Sequence, residues 1–519
     1  MKTSDAAFNE IALSLSGGGY RAAAFHLGTL EMLNRLDLLS SVRVLSTVSG
    51  GTITGVAYAA SLSENLTFDD FYQKLYGFLH NTNVITDALS TIQDSTRINQ
   101  QYTMPSLIRA AAGVYASNSL FANKTFDLLF NHNCRQLKEI AFNATDFRSG
   151  NCFRFQKSDS SLVRTGNNGA KVEPEINLQI RLADIVAASS CFPSGFEPIR
   201  FPSDFVWGDG KQLDRIRREL GERFAGDIPL MDGGVFDNQG IDSIENIYER
   251  KGAEIDLYIV SDTDQRDATL LDFPLRERHG RSGPSLNFLY FLIWILLILS
   301  LLTAIAIVAD AAASLVNGSL TVAKGIFLYF IPFVFSVVVV LLILWARSSA
   351  VKMQSLVLEK TGFALWPYLK KLSVPEIVEL IDSRVKSLIS MSSSVFMKRI
   401  RDLGYNKIFS DPDFQNKILP NVIYDLDNSS KWGKEIMGTE LQPSEKLRLV
   451  SKNAESYSTN LWFLKPDDLD NLIFCGQATM CFKILKYLLK HRAVELSDTE
   501  SSEFKLFENA KSIWIQMNQ

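Results

Sequence analysis

Leu286 to Ala309 is a run of 24 residues without a charge, and Ile326 to Ala346 is another of 21. At about 1.5 Å per residue, a helix of the first spans roughly 36 Å, more than the ~30 Å hydrocarbon core of a bilayer. Helices buried in a globular core seldom run so long without a charge. The linker between them, DAAASLVNGSLTVAKG, is short, so the two runs predict a transmembrane hairpin over 286–346, with spans at 286–309 and 326–346. Trp345 stands near the end of the second run, where an interfacial anchor belongs, and Pro332 near its start loosens the first turns. Arg276, Arg278 and Arg281 precede the first span and Arg347 and Lys352 follow the second, whereas the linker holds only Lys324. By the positive-inside rule both ends face the cytoplasm. The expectation is an integral membrane protein with two transmembrane helices and cytoplasmic N- and C-termini. Such a hairpin also offers a surface for pairing into a homo-oligomer.

A chain of 519 residues exceeds one ordinary hydrophobic core, so the residues on either side of the hairpin must form further structure. The net charge of −4, from 53 basic and 57 acidic residues, gives no reason to expect a nucleic-acid partner. The five cysteines, at 134, 152, 191, 475 and 481, form no CxxC pair and have no zinc-type spacing, so they read as free buried thiols in a reducing compartment. The N-terminus lacks the apolar core of a signal peptide, so the part before the hairpin is not expected to be exported.

Ile11-Ala-Leu-Ser-Leu-Ser reads as a strand, Gly17-Gly18-Gly19 follows at once, and Tyr20 to Leu33 has the apolar spacing of a helix. A strand, glycine loop and helix aim backbone N–H groups at an anion, either a phosphate or an oxyanion. No Lys-Ser/Thr follows the glycines, so a P-loop is excluded; a dinucleotide fingerprint lacks its acid on a second strand. Next, the β-branched segment Val42 to Val48 runs into Ser49-Gly50-Gly51 and then a plausible helix from Thr52. This is a strand–serine–helix elbow, with Thr47 where the common pattern has its first glycine. Downstream, Ile228-Pro-Leu-Met is an apolar strand ending in Asp232-Gly233-Gly234. A hydrolytic serine commonly has a histidine base. Of the histidines at 26, 80, 132, 279 and 491, only the last two follow Asp232, and neither has a loop signature. A Ser49–Asp232 dyad therefore explains the residues better than a triad. His26, on the first helix, reads as a structural histidine.

These blocks, in this order, resemble the patatin-like phospholipases. Gly17-Gly18-Gly19-Tyr20-Arg21 is similar to that family's oxyanion loop with its arginine, Ser49 to its elbow nucleophile, and Asp232-Gly233-Gly234 to the element whose aspartate completes the dyad. Ala187-Ala-Ser-Ser-Cys-Phe-Pro-Ser-Gly-Phe-Glu-Pro198 resembles a further family segment, and Asn143-Ala-Thr-Asp-Phe-Arg-Ser-Gly the strand and turn before it. The resemblance covers residues 10–262 and departs at Thr47 and at Ala22, where a glycine is frequent. It implies an α/β fold, a three-layer sandwich with a mostly parallel central sheet. It also implies a metal-free, cofactor-free acyl transfer in which Asp232 takes the proton of Ser49, Ser49 attacks a lipid ester, and the glycine-loop N–H groups hold the oxyanion. Gly50, Gly51, Gly233 and Gly234 give the two turns their steric room. Arg21 either orients the loop, faces a lipid phosphate or pins the first helix through a salt bridge.

Three regions are expected: a hydrolase domain over 1–285, the hairpin over 286–346, and a mainly α-helical C-terminal region over 347–519 that packs on the hydrolase. Within the first, residues 64–142 read as helices packing on the sheet or as a lid. No motif identifies the C-terminal region. The leading function is a lipid acyl hydrolase of the phospholipase A or lysophospholipase type, acting at its own membrane. A triacylglycerol or other neutral-lipid esterase, a regulated membrane-degrading effector and a catalytically dead membrane scaffold are the alternatives.

Overall fold

The computed structural model describes residues 6–93, 106–158, 163–167, 169, 171–193, 195–208, 210–219, 226–251, 255–266, 284–318, 321–322, 325–361, 371–391, 395–427, 438 and 441–519. It divides into two compact units, residues 1–270 with 391–519, and residues 271–390.

The first unit is built on one mixed sheet. Its strands in chain order are β1 (Ile11–Leu15), β2 (Val42–Val48), β3 (Glu139–Asp146), β4 (Asn151–Lys157), β5 (Val163–Gly166), β6 (Lys171–Val172), β7 (Ile199–Phe201), β8 (Ile228–Asp232), β9 (Leu257–Asp262) and β10 (Ile418–Val422). Across the sheet the order is β10-β9-β1-β2-β3-β4-β5-β6, with β8 paired to β3 and β7 to β8. The centre, from β10 to β3, is parallel, and the pairings beyond β3 are antiparallel. Parallel central strands are covered on both faces and so read as nearly continuous apolar runs. Ile11, Leu13 and Leu15 of β1 pack into one cluster with helices α1 (Gly19–Arg35) and α2 (Gly50–Ser63). Ala12 of the same strand faces the other side, against Ile244 and Ile247 of a helix over Ile241–Lys251 and Ile408 of a later one. Helices, sheet and helices make three layers.

The C-terminal residues do more than pack on the outside. The chain is not divided at 347: residues 391–519 belong to the first unit and supply β10, parallel to β9 at the edge of the sheet. That strand was not legible because Ile-Leu-Pro-Asn-Val is short and carries Pro420, which an edge strand tolerates. The helix Pro466–His491 lies against α1 at a close crossing. A Cβ on Gly28 would sit 1.9 Å from the carbonyl oxygen of Ile473, and one on Gly476 would sit 2.0 Å from that of Phe25. Only glycine lets the two backbones approach so closely.

The second unit holds a helical hairpin. Leu286–Val316 continues past the expected end at Ala309, because Asp310-Ala-Ala-Ala suits a helix and the Asp310 carboxylate accepts the Tyr329 hydroxyl at 2.6 Å. The partner helix begins with a π-helical turn, Gly325–Phe330, and continues as Ile331–Thr361, well beyond Ala346. Pro332 falls at the start of the α-helical part, where its missing N–H costs little. Ser300 Oγ reaches the Ser336 carbonyl at 3.4 Å across the hairpin. An amphipathic helix, Val374–Ser390, follows. Arg276, Arg278, Arg281, Lys324 and His279 lie outside the described residues. Among the described residues three helices are long and apolar enough to cross a membrane: Asn287–Val316, Gly325–Trp345 and Asp467–His491. The apolar stretches of the first two are 0% and 11% buried, whereas that of the third is 72% buried, against the core of the first unit.

Gly476→Val places three heavy atoms where the α1 backbone runs. Urea unfolding of the detergent-solubilised protein should show a loss of about 1–3 kcal/mol, and an unchanged midpoint would rule out the close crossing.

Candidate active site

Ser49 sits between β2 and α2 with φ 52° and ψ −119°. That conformation costs a non-glycine residue about 1–3 kcal/mol and must be held in place by its neighbours. Here a chain of hydroxyls holds it. Ser49 N–H donates to Ser189 Oγ at 2.9 Å, and Ser189 Oγ donates to the Asn143 carbonyl at 2.6 Å. Thr52 Oγ1 lies 2.7 Å from Ser189 Oγ, and Thr47 Oγ1 lies 2.8 Å from Thr52 Oγ1. Ser189 has one proton, which the Asn143 carbonyl takes, so Thr52 must donate to Ser189 and Thr47 to Thr52. Thr47, the departure from the usual elbow, is thus the start of the clamp. Its methyl group fits because Gly55 faces it, where a Cβ would come within 2.4 Å.

Asp232 ends β8, and its backbone is tied down by Thr145 Oγ1 on its carbonyl at 2.8 Å and by its own N–H on the Cys191 carbonyl at 2.9 Å. Its side chain is 1% exposed. Oδ1 accepts from Gly234 N–H at 2.8 Å, and Oδ2 is buried outside ordinary hydrogen-bond geometry. Burial raises the carboxyl pKa to about 6, against the lowering effect of the Ser49 hydroxyl and of Gly234 N–H. The Ser49 hydroxyl thus lies beside the Asp232 carboxyl.

The glycine loop lies beside the elbow: a Cβ on Gly50 would sit 2.1 Å from the Gly19 carbonyl. Gly18 and Gly19 have φ of 148° and 58°, a backbone path that favours glycine. Gly17 differs from its neighbours. Its N–H already donates to the Asn238 carbonyl at 2.9 Å, so the expectation of Gly17 as an oxyanion donor is not met. Gly51 N–H donates to the Ser16 carbonyl at 3.2 Å and supports the turn. Among the described residues, no protein acceptor takes the N–H of Gly18, Gly19 or Gly50. Gly233, behind Asp232, is pressed against the Asn143 carbonyl, 2.4 Å from where its Cβ would be.

Ser49, Asp232, Gly18 and Gly19 open onto one cavity of about 620 Å³. Leu107, Phe192, Phe196, Leu461 and Trp462 give it an apolar wall. Ile85 and Leu107 come from the 64–142 segment, most of whose aromatic residues, Phe71, Phe78 and Phe121 among them, pack in the core. Residues 94–105 of that segment lie outside the described residues.

Arg21 makes no salt bridge among the described residues; it donates to the carbonyls of Tyr457 at 2.7 Å and Thr263 at 3.0 Å. Burial and the neighbouring Arg401 lower its pKa to about 10. His26 is a structural residue: Nε2 lies 3.0 Å from the Ser16 carbonyl and Nδ1 3.0 Å from Ser261 Oγ. Burial lowers its pKa to about 4, so it is neutral, with its proton on Nε2. None of the described histidines lines the cavity. Among the described residues no group of three His, Cys, Asp or Glu could hold a metal. The five cysteines are buried and free.

Three residues at the site were not identified from the sequence. Ser189 was inside a recognised block but looked like one serine of a pair. Asn238 and Arg401 carried no signal, since their roles depend on which segments meet. Arg401, on a helix over Phe396–Ser410, pairs with Asp264 at 3.0 Å and Asp262 at 3.4 Å and donates to the Gly17 carbonyl at 3.3 Å.

The patatin-like phospholipase family model matches residues 13–244. No curated protein matches the chain. Human GIVD cytosolic phospholipase A2 is 13% identical over 49% of this chain and 45% of its own length, with a TM-score of 0.35. The same enzyme in complex with methyl gamma-linolenyl fluorophosphonate is 11% identical over 99% of this chain and 60% of its own length, at a TM-score of 0.42. VipD from Legionella pneumophila is 14% identical over 49% of this chain and 50% of its own length, at a TM-score of 0.27. The chain thus spans about half the length of these structures. Ser49, Asp232 and the glycine loop all fall within the matched segment, and residues 13–244 form a domain of the patatin-like phospholipase family.

Proposed function

We propose that this protein is a membrane-anchored serine lipid acyl hydrolase of the phospholipase A or lysophospholipase type, with Ser49 and Asp232 as its catalytic dyad. The observation that carries the reading is the Ser49 hydroxyl beside a fully buried Asp232 carboxyl whose pKa stands near 6. A base of that pKa is mostly ionised at neutral pH and is still basic enough to take a serine proton in the transition state. Asp232 accepts the Ser49 proton as Oγ attacks the ester carbonyl carbon. The N–H groups of Gly18 and Gly19 stabilise the oxyanion, supported by the N-terminus of α1. The tetrahedral species collapses, and Asp232 returns its proton to the leaving alcohol. A water, deprotonated by Asp232, then attacks the acyl-serine and releases the fatty acid.

The cavity supports a lipid with a charged head. Its wall is apolar enough for an acyl chain, and Arg21 and Lys398, which bond to carbonyls at 2.7, 3.0 and 3.0 Å, add positive charge for a phosphate. That favours a phospholipid over a neutral glyceride. The two uncovered apolar helices are proposed as the membrane anchor, which keeps the site at high effective concentration of its substrate.

Release of fatty acid from phosphatidylcholine in detergent micelles tests the dyad. Ser49→Ala and Asp232→Asn should each lose activity by about 10⁴-fold, and full activity in either would sink the mechanism. In the wild type, kcat/KM should climb as pH rises through about 6, since only ionised Asp232 accepts the proton. An inflection near the ordinary carboxylate value of about 4 would show that the base is not this buried group.

Stability should move the other way. The folded-state pKa of Asp232 lies above the unfolded value, so its contribution favours folding at low pH and is lost as pH rises through about 6. Asp232→Asn should therefore be more stable than the wild type at pH 7.5, by about 2–3 kcal/mol. The gap should narrow below pH 6 and close only near the unfolded carboxylate value of about 4. A destabilised Asn variant at pH 7.5 would contradict the burial argument.

A further inference from the structure

Arg401 lies outside the segment matched to the family, yet it reaches the glycine loop. It is 8% exposed and lines the cavity. Its guanidinium has three sets of partners. Nη1 donates to Asp264 Oδ1 at 3.0 Å, Nε lies 3.4 Å from Asp262 Oδ1, and Nη2 donates to the Gly17 carbonyl at 3.3 Å. With the Asn238 amide oxygen turned toward Arg401, that oxygen accepts from Nε at 3.1 Å and Nη2 at 2.7 Å. Asn238 in turn takes the Gly17 N–H on its backbone carbonyl at 2.9 Å. Both ends of Gly17 are therefore held by Arg401 and its partner.

The Gly17 carbonyl and the Gly18 N–H belong to one peptide unit. That unit is planar and trans, so its C=O and N–H point in opposite directions. Whatever grips the carbonyl aims the N–H. The carbonyl is gripped by Thr263 Oγ1 at 3.0 Å, by Arg401 Nη2 at 3.3 Å and by Ser16 Oγ at 3.4 Å. Arg401 is the charged one of the three, and a cation on the carbonyl polarises the peptide and strengthens its N–H as a donor. The two carboxylates fix the guanidinium in a single orientation and keep it charged.

We propose that Arg401 is a positioning residue for the oxyanion loop: by holding the Gly17 carbonyl it aims and polarises the Gly18 N–H toward the developing oxyanion. This rests on the Ser49–Asp232 reading of the site. It makes the reaction depend on a helix delivered after the hairpin, so that the matched domain alone lacks part of its own oxyanion machinery.

The test uses the full-length protein in detergent and a p-nitrophenyl ester of a medium-chain fatty acid, which has no phosphate for Arg401 to bind. R401M should lower kcat by about 10²-fold and R401K by about tenfold, the loss expected for a misaimed oxyanion donor. KM should stay within about threefold, because the ground-state carbonyl gains little from that donor. R401M strands two buried carboxylates, so T263A, which removes another donor to the same carbonyl and no ion pair, is measured beside it; it should lose kcat about fivefold. Wild-type kcat in R401K, or a loss carried by KM, overturns the proposal, and wild-type kcat in T263A overturns the part played by the Gly17 carbonyl. Ester release by S49A would instead overturn the dyad reading itself, whereas an inactive S49A beside a fully active R401K removes only the role of Arg401.

Discussion

Keeping an ionised carboxylate in a dry interior costs free energy, and the buried Asp232 sets that cost for the whole site. One oxygen is satisfied by Gly234 N–H and the other is left with only the loose approach of Ser49. The aspartate cannot move to find better partners, because β8 is paired to β3 and the Asp232 backbone is bonded on both sides. The strained Ser49 turn is held against it in the same way, through Ser189 and Thr52. Both groups are therefore less comfortable than they would be in water, and the rest of the first unit keeps them so.

That rigidity comes from segments far apart in the chain. β1, β2 and β8 end at the site, β3 passes it at Asn143, and the parallel centre of the sheet places the loops after β1 and β2 side by side. The C-terminal residues contribute to the sheet and to both of its faces. β10 closes the sheet edge beside β9, the helix Pro466–His491 packs on α1, and Arg401 reaches the loop that begins α1. The apolar helix Pro466–His491 also shows how burial changes the meaning of hydropathy. By length and composition it is a candidate membrane span, yet most of it is covered by the hydrolase core, while the hairpin helices have no such cover.

The turns that carry Ser49, Asp232 and the glycines were legible because each is a local event: a strand, a small-residue turn and a helix within a few residues. The hairpin was legible because a long uncharged run has few other uses. Gly17 was misread because its neighbour in space is Asn238, more than two hundred residues later, which takes the N–H that the loop pattern assigns to the oxyanion. The helices run past the uncharged stretches, because Asp310 inside the first helix is held by the Tyr329 hydroxyl rather than ending it.

By itself the sequence determined the order of chemistry-bearing turns, the family of the domain that holds them and the two long apolar helices, since all of these depend on residue type at short spacing. Only the tertiary structure decided which glycine N–H groups are free, that Thr47 begins a clamp on Ser49, and that Arg401 serves the same loop. Those depend on which carbonyl a distant side chain reaches, and hydrogen-bond partners across the fold leave no periodic trace in the chain that carries them.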